Sequence, residues 1–188
     1  MPRLLAAAFL VCVASPVMAF QGPWNVHAQR GTIQGYSKER FREDTSDLDQ
    51  TIDDAFPGAC LAVPSPGRTA SFGLIMPEYP KRVFEAEELS DGTLRYLAIA
   101  GALLGYRLPS FIALNEPETS LHPDLLEPLA RLILRAGQRT QIWVVTHSER
   151  LAQAFMRESR VTPRTVIKRN GATWIDGLKL SGTFGDDD

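Results

Sequence analysis

The order of apolar and polar residues is most regular in the second half of the chain. Apolar residues at helical spacing predict a helix that begins at Ser90 or Asp91 and is closed by Pro109. The continuous apolar runs 111–114 and 142–145 predict strands of a parallel sheet that are covered on both faces, the first of them in a central position.

Two further helices are predicted after these strands. Pro123 stands at a first helical position and leucines at helical spacing continue to about Gly137, while the second helix spans about 148–156. Helices that alternate with buried strands indicate an α/β fold with a mostly parallel sheet. Because ligands bind beyond the carboxyl ends of such strands, Glu116 and His147 are expected to converge.

The end of the chain carries a hairpin pattern. Residues 165–168 and 173–175 alternate as strands do, and Asn170-Gly171 stands between them. Asn-Gly between two such runs favours a tight turn, because both residues accept the left-handed backbone that the turn requires.

The first half of the chain is less regular. Residues 20–50 show little periodicity and are interpreted as irregular or weakly structured. Apolar residues spaced along 48–56 predict a short amphipathic helix that stops at Pro57. Residues 60–63 and 71–76 predict two short strands, with a proline-containing turn between them.

The composition is that of a globular protein with one core of ordinary size. Hydrophobic residues make up 44% of the 188 residues and charged residues 22%. A net charge of −2 gives no support to a broadly basic nucleic-acid surface, which leaves only a local patch open. Cys12 and Cys60 are far apart and outside metal-binding spacings, so neither a disulfide scaffold nor a zinc site is indicated.

Three segments, residues 89–93, 115–118 and 144–148, follow one another in the chain and carry the groups that phosphoryl transfer needs. Glu116 can orient or deprotonate a water, and His147 can donate a hydrogen bond toward a terminal phosphate. Amides and the helix dipole favour an anion at the start of the first helix. The candidate nucleotide-binding residues there are Ser90, Asp91, Gly92 and Thr93. Each segment alone is typical of a structural cap or turn, whereas their joint placement favours a nucleotide site.

From about residue 84 to 151 the chain resembles the C-terminal part of ABC-like AAA-family ATPases of the RecF, SMC and OLD-nuclease kind. The family's motifs have these counterparts here: the signature loop in residues 89–93, the Walker B strand in 111–115 with Glu116 as catalytic glutamate, the D-loop in 119–123 and the switch histidine in His147.

The resemblance implies a P-loop NTPase-like three-layer sandwich that binds ATP and Mg²⁺ and hydrolyses ATP. Such proteins dimerise head to tail, which implies a homodimer or a heterodimer with a Walker A-containing ATPase subunit. Ser90 and Gly92 would act in trans, whereas Glu116 and His147 would act beside a Walker A loop of their own subunit. His122, in the D-loop, is expected at the subunit interface rather than on a metal.

The chain departs from the family pattern in two places. Asn115 stands where the Walker B aspartate holds Mg²⁺ through water, and the loss of charge predicts weaker metal binding. The 188 residues also contain no Gly-x-x-x-x-Gly-Lys-Ser/Thr phosphate loop. The segment 66–69 is rejected as a substitute because it lacks the lysine and the first glycine.

The expected organisation is therefore a signal-like or irregular apolar segment (1–19), a partial, weakly defined segment (20–83) and a C-terminal ABC-type ATPase subdomain (84–188), so that the N-terminal half of the fold is incomplete. The expected function is ATP binding and hydrolysis as a truncated member or a trans-acting half of a dimer. The alternative is a non-catalytic interaction or regulatory module, or a gene remnant of such an ATPase.

The first 19 residues bear on the compartment. Arg3, an apolar run over 4–13 and small residues before Phe20 match a secretory signal peptide, with a buried strand or helix as the alternative. The run is shorter than the roughly 20 apolar residues of a membrane span. ATP chemistry belongs in the cytosol, so a cytoplasmic location is favoured, with secretion or the periplasm as the alternative.

Overall fold

The computed structural model describes residues 8–13, 38–62, 72–159, 161–169 and 171–178. Its elements are β1 (Ala8–Val13), α1 (Lys38–Ala55), β2 (Cys60–Ala62), β3 (Gly73–Ile75), β4 (Val83–Glu85), α2 (Asp91–Leu103), β5 (Phe111–Asn115), α3 (Leu126–Ala136), β6 (Gln141–Thr146), α4 (Glu149–Glu158), β7 (Arg164–Arg169) and β8 (Ala172–Ile175). Short 3-10 helices cover Ala86–Glu88 and Pro123–Leu125. The chain divides into a central unit, Pro16–Leu108, and a C-terminal unit that combines Met1–Ser15 with Pro109–Asp188.

The central unit packs α1 and α2 with a small antiparallel sheet of order β2-β3-β4. Ile52 of α1 and Leu74 of β3 are fully buried in one apolar cluster. The buried Tyr96 of α2 stacks edge to face on Phe56, with ring centroids 5.7 Å apart, and its hydroxyl donates to the Thr51 carbonyl at 3.3 Å. These contacts join the two helices around a core that each covers on one side only.

Helix α1 begins earlier than the sequence pattern indicates. The interpretation of residues 20–50 as irregular is wrong from Lys38 onward, while 20–37 lie outside the described residues. Between 38 and 55 the chain has no glycine or proline, and most of its residues are polar. Straight-chain charged residues have good helix propensity, but a mostly polar segment shows little apolar periodicity, which explains why the pattern failed there. The predicted amphipathic helix over 48–56 is the last part of α1.

The two strands predicted after α1 are confirmed, and Leu61 of β2 faces Leu74 of β3 in antiparallel register. The proline-containing turn predicted between them falls in 63–71, outside the described residues. Strand β4, which pairs with β3, was not predicted. Three residues are too few to show an alternation, and this strand exists through its pairing alone.

The C-terminal unit contains a five-stranded sheet of order β5-β6-β1-β7-β8. Strands β5 and β6 are parallel and in register from Phe111 with Gln141 to Asn115 with Val145. The remaining pairings of the described sheet are antiparallel. The predicted α/β class and its parallel pair are confirmed. The predicted hairpin is also present as β7 and β8, with Gly171 at a positive φ of 84° in the turn.

Part of the N-terminal apolar run forms β1, which pairs with β6 on one side and β7 on the other. This is the strand that the sequence left open as an alternative to a signal peptide. Cleavage of the first 19 residues stays a prediction.

Strand β5 lies at the edge of the described sheet, so the predicted central position, covered on both faces, is wrong. Phe111 at its start is exposed and contacts the exposed Trp143 of β6 edge to face, with ring centroids 5.7 Å apart. On the opposite face Ile142 and Val144 of β6 are fully inaccessible, whereas Ile112 and Leu114 of β5 are half-buried. A continuous apolar run is compatible with either position, because the strand order depends on segments far away in sequence.

Helices α3 and α4 pack against each other, and α4 also contacts β6. Pro123 opens a 3-10 turn, and α3 begins three residues later than predicted, at Leu126. Ser148 caps the start of α4. The fully buried apolar residues of this helix pair are Leu129, Ala130, Ile133, Leu151, Ala154 and Phe155. Two ion pairs cross its outer side: Arg131 to Glu158 at 3.1 Å and Arg157 to Glu127 at 2.6 Å.

The boundary between the units, at Leu108 and Pro109, falls inside the predicted 84–188 segment. The predicted segments therefore do not coincide with the two compact units. Among the described residues, no helix combines the length and apolar character that crossing a membrane requires.

We predict that Phe155→Ala lowers the free energy of unfolding of the C-terminal unit by about 3–5 kcal/mol, because it leaves a cavity between α3, α4 and the sheet. The neighbouring Met156, 49% exposed, provides the matched control, and Met156→Ala is expected to change stability by less than about 0.5 kcal/mol. Urea unfolding followed by circular dichroism measures both. Equal effects of the two substitutions would contradict the packing described here.

Candidate functional site

The parallel strands β5 and β6 bring the predicted acidic and histidine segments together. The Glu116 N–H donates to the Val145 carbonyl at 2.7 Å, which continues the ladder one residue beyond β5. At this point the backbone turns sharply, as Glu116 has a φ of 45°. A left-handed backbone at a residue other than glycine costs about 1–3 kcal/mol and is concentrated at functional sites. The side chain of Glu116 is therefore held by both a strand end and a strained turn.

Glu116 and His147 converge, as their positions after the two strands predicted. Glu116 Oε1 lies 3.5 Å from His147 Nε2, and the Thr119 hydroxyl is 3.5 Å from Glu116 Oε2. The side chains of Glu116 and His147 are 44% and 47% exposed. Both groups are thus oriented toward each other and remain accessible to water or to a ligand.

A second acidic residue, Glu118, follows Glu116 by two positions and contacts the end of β6. Glu118 accepts a short hydrogen bond from the hydroxyl of Thr146, which is fully buried at the end of β6. The Thr146 oxygen in turn accepts the Ser148 N–H at 2.9 Å. The other carboxylate oxygen, Glu118 Oε2, is buried without a hydrogen-bond partner among the described residues.

No role is predicted for Glu118 or Thr146 from the sequence alone. The signal for them is the hydroxyl at the end of an otherwise apolar strand, since a buried hydroxyl needs a partner. The pattern could not name that partner, because the two residues meet only through the pairing of β5 with β6.

The D-loop counterpart forms a tight turn after Glu118. Leu121 donates its N–H to the Glu118 carbonyl at 2.9 Å, and Ser120 has a positive φ of 67°. His122 is exposed and caps the following 3-10 helix, because its Nδ1 accepts the Asp124 N–H at 3.3 Å. This use of His122 is structural, and its placement at a subunit interface stays a prediction.

The signature-loop counterpart lies in the central unit, at the start of α2. The Ser90 hydroxyl oxygen accepts the Thr93 N–H at 3.2 Å, and the two hydroxyls are 2.9 Å apart. Asp91 is exposed, whereas Gly92 is half-buried. Ser90 is therefore an N-cap, as predicted, and the anion-binding role of the segment stays a prediction. Because these residues belong to the other unit, they form a second group of candidate residues.

The turn before α2 is fastened by charge. The backbone N–H of Glu85 donates to Glu88 at 3.1 Å, and Arg82 forms an ion pair with the same carboxylate. The hydrogen bond from Glu85, reinforced by Arg82, holds the pKa of Glu88 below its usual value. This fixes the approach of the chain to Leu89, which packs on the apolar cluster of the central unit.

Asn115 is exposed at the last position of β5, directly before Glu116. The two side chains offer an amide and a carboxylate oxygen, which are donors of the kind Mg²⁺ prefers. In the described parts of the chain no three His, Cys, Asp or Glu residues form a group that could hold a metal ion. The residues present therefore fit a contribution to a magnesium–nucleotide complex and not a metal cage of their own.

Solved structures with the same fold are ATPase heads. A structure described as "Structural biochemistry of ATP-driven dimerization and DNA stimulated activation of SMC ATPases" aligns with a TM-score of 0.55 at 17% identity, over 77% of this chain and 88% of that one. An Smc head bound to the C-winged helix domain of ScpA aligns with a TM-score of 0.55 at 19% identity, over 76% of this chain and 44% of that one. A Pyrococcus furiosus Smc head with an extended coiled coil, bound to the C-terminal domain of ScpA, aligns with a TM-score of 0.54 at 19% identity. The alignment covers 76% of this chain and 36% of that one. The fold is thus that of an SMC-type ATPase head, and the chain spans less than half of two of these neighbours.

The family is defined by sequence as well. Residues 36–152 match the family model described as "AAA domain, putative AbiEii toxin, Type IV TA system". The chain belongs to this AAA-domain family, and the resemblance to an ABC-like AAA-family ATPase is confirmed. No curated protein matches the chain.

We predict that Ser90→Ala lowers the free energy of unfolding of the central unit by about 1 kcal/mol, because α2 loses its cap. Ser90→Asp is the matched control and should retain stability, since its carboxylate can accept the same N–H. Urea unfolding monitored by circular dichroism measures the two variants. An unaltered stability in Ser90→Ala would contradict a stabilising role of the Ser90 cap.

Proposed function

We propose that the chain forms part of an ATP-binding and ATP-hydrolysing site of the AAA/ABC type. The observation that carries this proposal is the 3.5 Å approach of Glu116 to His147 at the carboxyl ends of two adjacent parallel strands. In α/β sheets this edge is where ligands bind. Membership of the AAA-domain family makes a nucleoside triphosphate the ligand of first choice.

In the proposed reaction Glu116 accepts a proton from, or orients, the water that attacks the terminal phosphate. Its partial exposure leaves room for that water, while Thr119 and His147 restrict the carboxylate from two sides. A general base must be within hydrogen-bond reach of the proton that it takes, and a fixed carboxylate meets that requirement once the phosphate is in place. His147 donates a hydrogen bond to the terminal phosphate.

Mg²⁺, when bound with the nucleotide, would supply positive charge that offsets the negative charge of the phosphates. Asn115 would contact it through water. A neutral amide holds a divalent cation less well than a carboxylate does, so the chain's own contribution to metal binding is small.

The signature-loop counterpart, residues 89–93, is proposed to complete the ATP site of a second subunit, while Glu116 and His147 act beside a Walker A loop of their own subunit. That second subunit is another copy of this chain or an ATPase subunit that carries a Walker A motif, in a head-to-tail dimer. Ser90, Asp91, Gly92 and Thr93 would then meet the nucleotide held by the partner, because the start of α2 presents backbone amides and a positive dipole end. One structural neighbour is described by its ATP-driven dimerisation, which supports this arrangement. A cytoplasmic location accompanies the proposal.

Asn115 favours a second candidate function, a non-catalytic regulatory module that pairs with a full-length ATPase. A neutral residue in place of a metal-holding aspartate weakens the capacity for turnover but leaves the interface intact. The two functions differ in whether the chain contributes to binding Mg-ATP.

We predict that Asn115→Asp strengthens binding of Mg-ATP to the chain by about tenfold, since a restored carboxylate adds roughly 1.4 kcal/mol of metal contact. Calorimetric titration of Mg-ATP into the Glu116→Gln chain, with and without Asn115→Asp, measures the change. The gain should disappear when EDTA replaces Mg²⁺. Asp124→Asn, on an exposed carboxylate near α4, is the control and should leave binding unchanged. Failure of both forms to bind Mg-ATP at millimolar concentration would favour the regulatory module.

We predict that Glu116→Gln reduces ATP turnover by about 100-fold or more in a mixture with a Walker A-containing subunit, because the general base is lost. Association that depends on ATP should persist, since glutamine keeps the size of the side chain. Phosphate release and size-exclusion chromatography measure the two effects. Glu127→Gln, which removes a carboxylate from α3, serves as control. Unchanged turnover in Glu116→Gln would contradict the assignment of Glu116.

A further inference from the structure

The buried contact between Glu118 and Thr146 is the feature of the C-terminal unit that the proposed chemistry does not use. It joins the loop after β5 to the end of β6, and it lies next to the Glu116–His147 pair in sequence on both sides. Glu118 is half-buried, and its inaccessible Oε2 has no hydrogen-bond partner among the described residues, which is a costly arrangement for a carboxylate oxygen.

We propose that Glu118 is a positioning residue, which fixes the turn that carries His147 and thereby sets the approach of His147 to Glu116. This rests on the proposed function of that pair. Glu118 itself touches neither water nor nucleotide in the proposed reaction.

The hydroxyl of Thr146 connects Glu118 to the turn around His147 through two hydrogen bonds. The Thr146 hydroxyl donates to Glu118 and accepts the N–H of Ser148 at 2.9 Å. With its proton committed to the carboxylate, the hydroxyl oxygen faces the backbone N–H of the residue after His147. The orientation of one hydroxyl therefore couples Glu118 to both ends of the turn.

The backbone on both sides of the Glu118–Thr146 hydrogen bond is fixed by further contacts. Glu118 is fixed by its own backbone, because its carbonyl accepts the Leu121 N–H at 2.9 Å and buried Pro117 precedes it. At the other end, Ser148 starts α4 and its hydroxyl accepts the Leu151 N–H at 3.1 Å. The Glu118–Thr146 bond thus connects two rigid anchors, and His147 lies between them.

Two contacts can position the side chain of His147: its own contact with Glu116 and the Glu118–Thr146 hydrogen bond. Its direct contact with Glu116 is nearly half exposed, and exposed ion pairs are weak and screened by salt. The Glu118–Thr146 hydrogen bond is partly buried and its donor residue Thr146 is fully inaccessible, so water competes with it less than with the exposed pair. The buried bond, and not the exposed pair, determines the geometry.

The test measures the turn directly by NMR on the whole chain. Glu118→Ala should accelerate hydrogen exchange of the Ser148 amide by about tenfold or more and let the His147 ring sample several rotamers. Glu118→Gln should preserve both readouts, because its amide oxygen can still accept from Thr146. A merely structural residue would not show rescue confined to the turn.

A second pair of variants tests the other end of the bond. Thr146→Val keeps the shape of the side chain but removes the hydroxyl, and it should reproduce the effect of Glu118→Ala. Thr146→Ser keeps the hydroxyl and should behave as the unaltered chain. This pair provides the same test should Glu118→Ala fail to fold. The control is Glu127→Ala, which breaks the ion pair with Arg157 between α3 and α4.

Two outcomes would overturn the proposal. One is a Ser148 amide and a His147 ring that are unchanged in both Glu118→Ala and Thr146→Val. The other is an equal change in Glu127→Ala, which would show general loosening of the unit. None of these readouts needs nucleotide, so the two proposals can fail separately. Absent Mg-ATP binding with an intact Glu118 effect would count against the proposed function alone, whereas normal binding with no Glu118 effect would count against the positioning role alone.

Discussion

The parallel pairing of β5 with β6 is the constraint on which the candidate site depends. Asn115 pairs with Val145 in the register of the two strands, and the Glu116 N–H extends the ladder by donating to the Val145 carbonyl. Because the two chains run in the same direction, the residues that follow each strand leave the sheet at one edge. A shift of one residue would turn every side chain of β5 to the opposite face and separate Glu116 from His147.

The chemistry is exposed, but its support is buried. Glu116 and His147 are partly open to solvent, whereas Thr146, the residue before His147, is fully inaccessible and donates a hydrogen bond to Glu118. The left-handed backbone of Glu116 adds strain that the surrounding ladder and turn must hold. Functional groups are held accurately when neighbouring buried contacts restrict them in advance, so that binding a ligand requires little reorganisation.

The division into two units separates the candidate residues by role. The groups proposed to act on water and phosphate, with Asn115, belong to the C-terminal unit, and the capped start of α2 belongs to the central unit. Each unit has its own buried core.

Local patterns along the chain were enough to find α2, α3, α4 and the β7–β8 hairpin, because helical periodicity, Pro123 and the Asn-Gly turn act over a few residues. They also placed Glu116 and His147 together, since parallel strands end at one edge. Local patterns were insufficient for the edge position of β5, the pairing of Ala8–Val13 within the sheet and the contact of Glu118 with Thr146. Those features depend on contacts between segments far apart in the chain, and a residue's own neighbours in sequence do not specify its partners across a sheet.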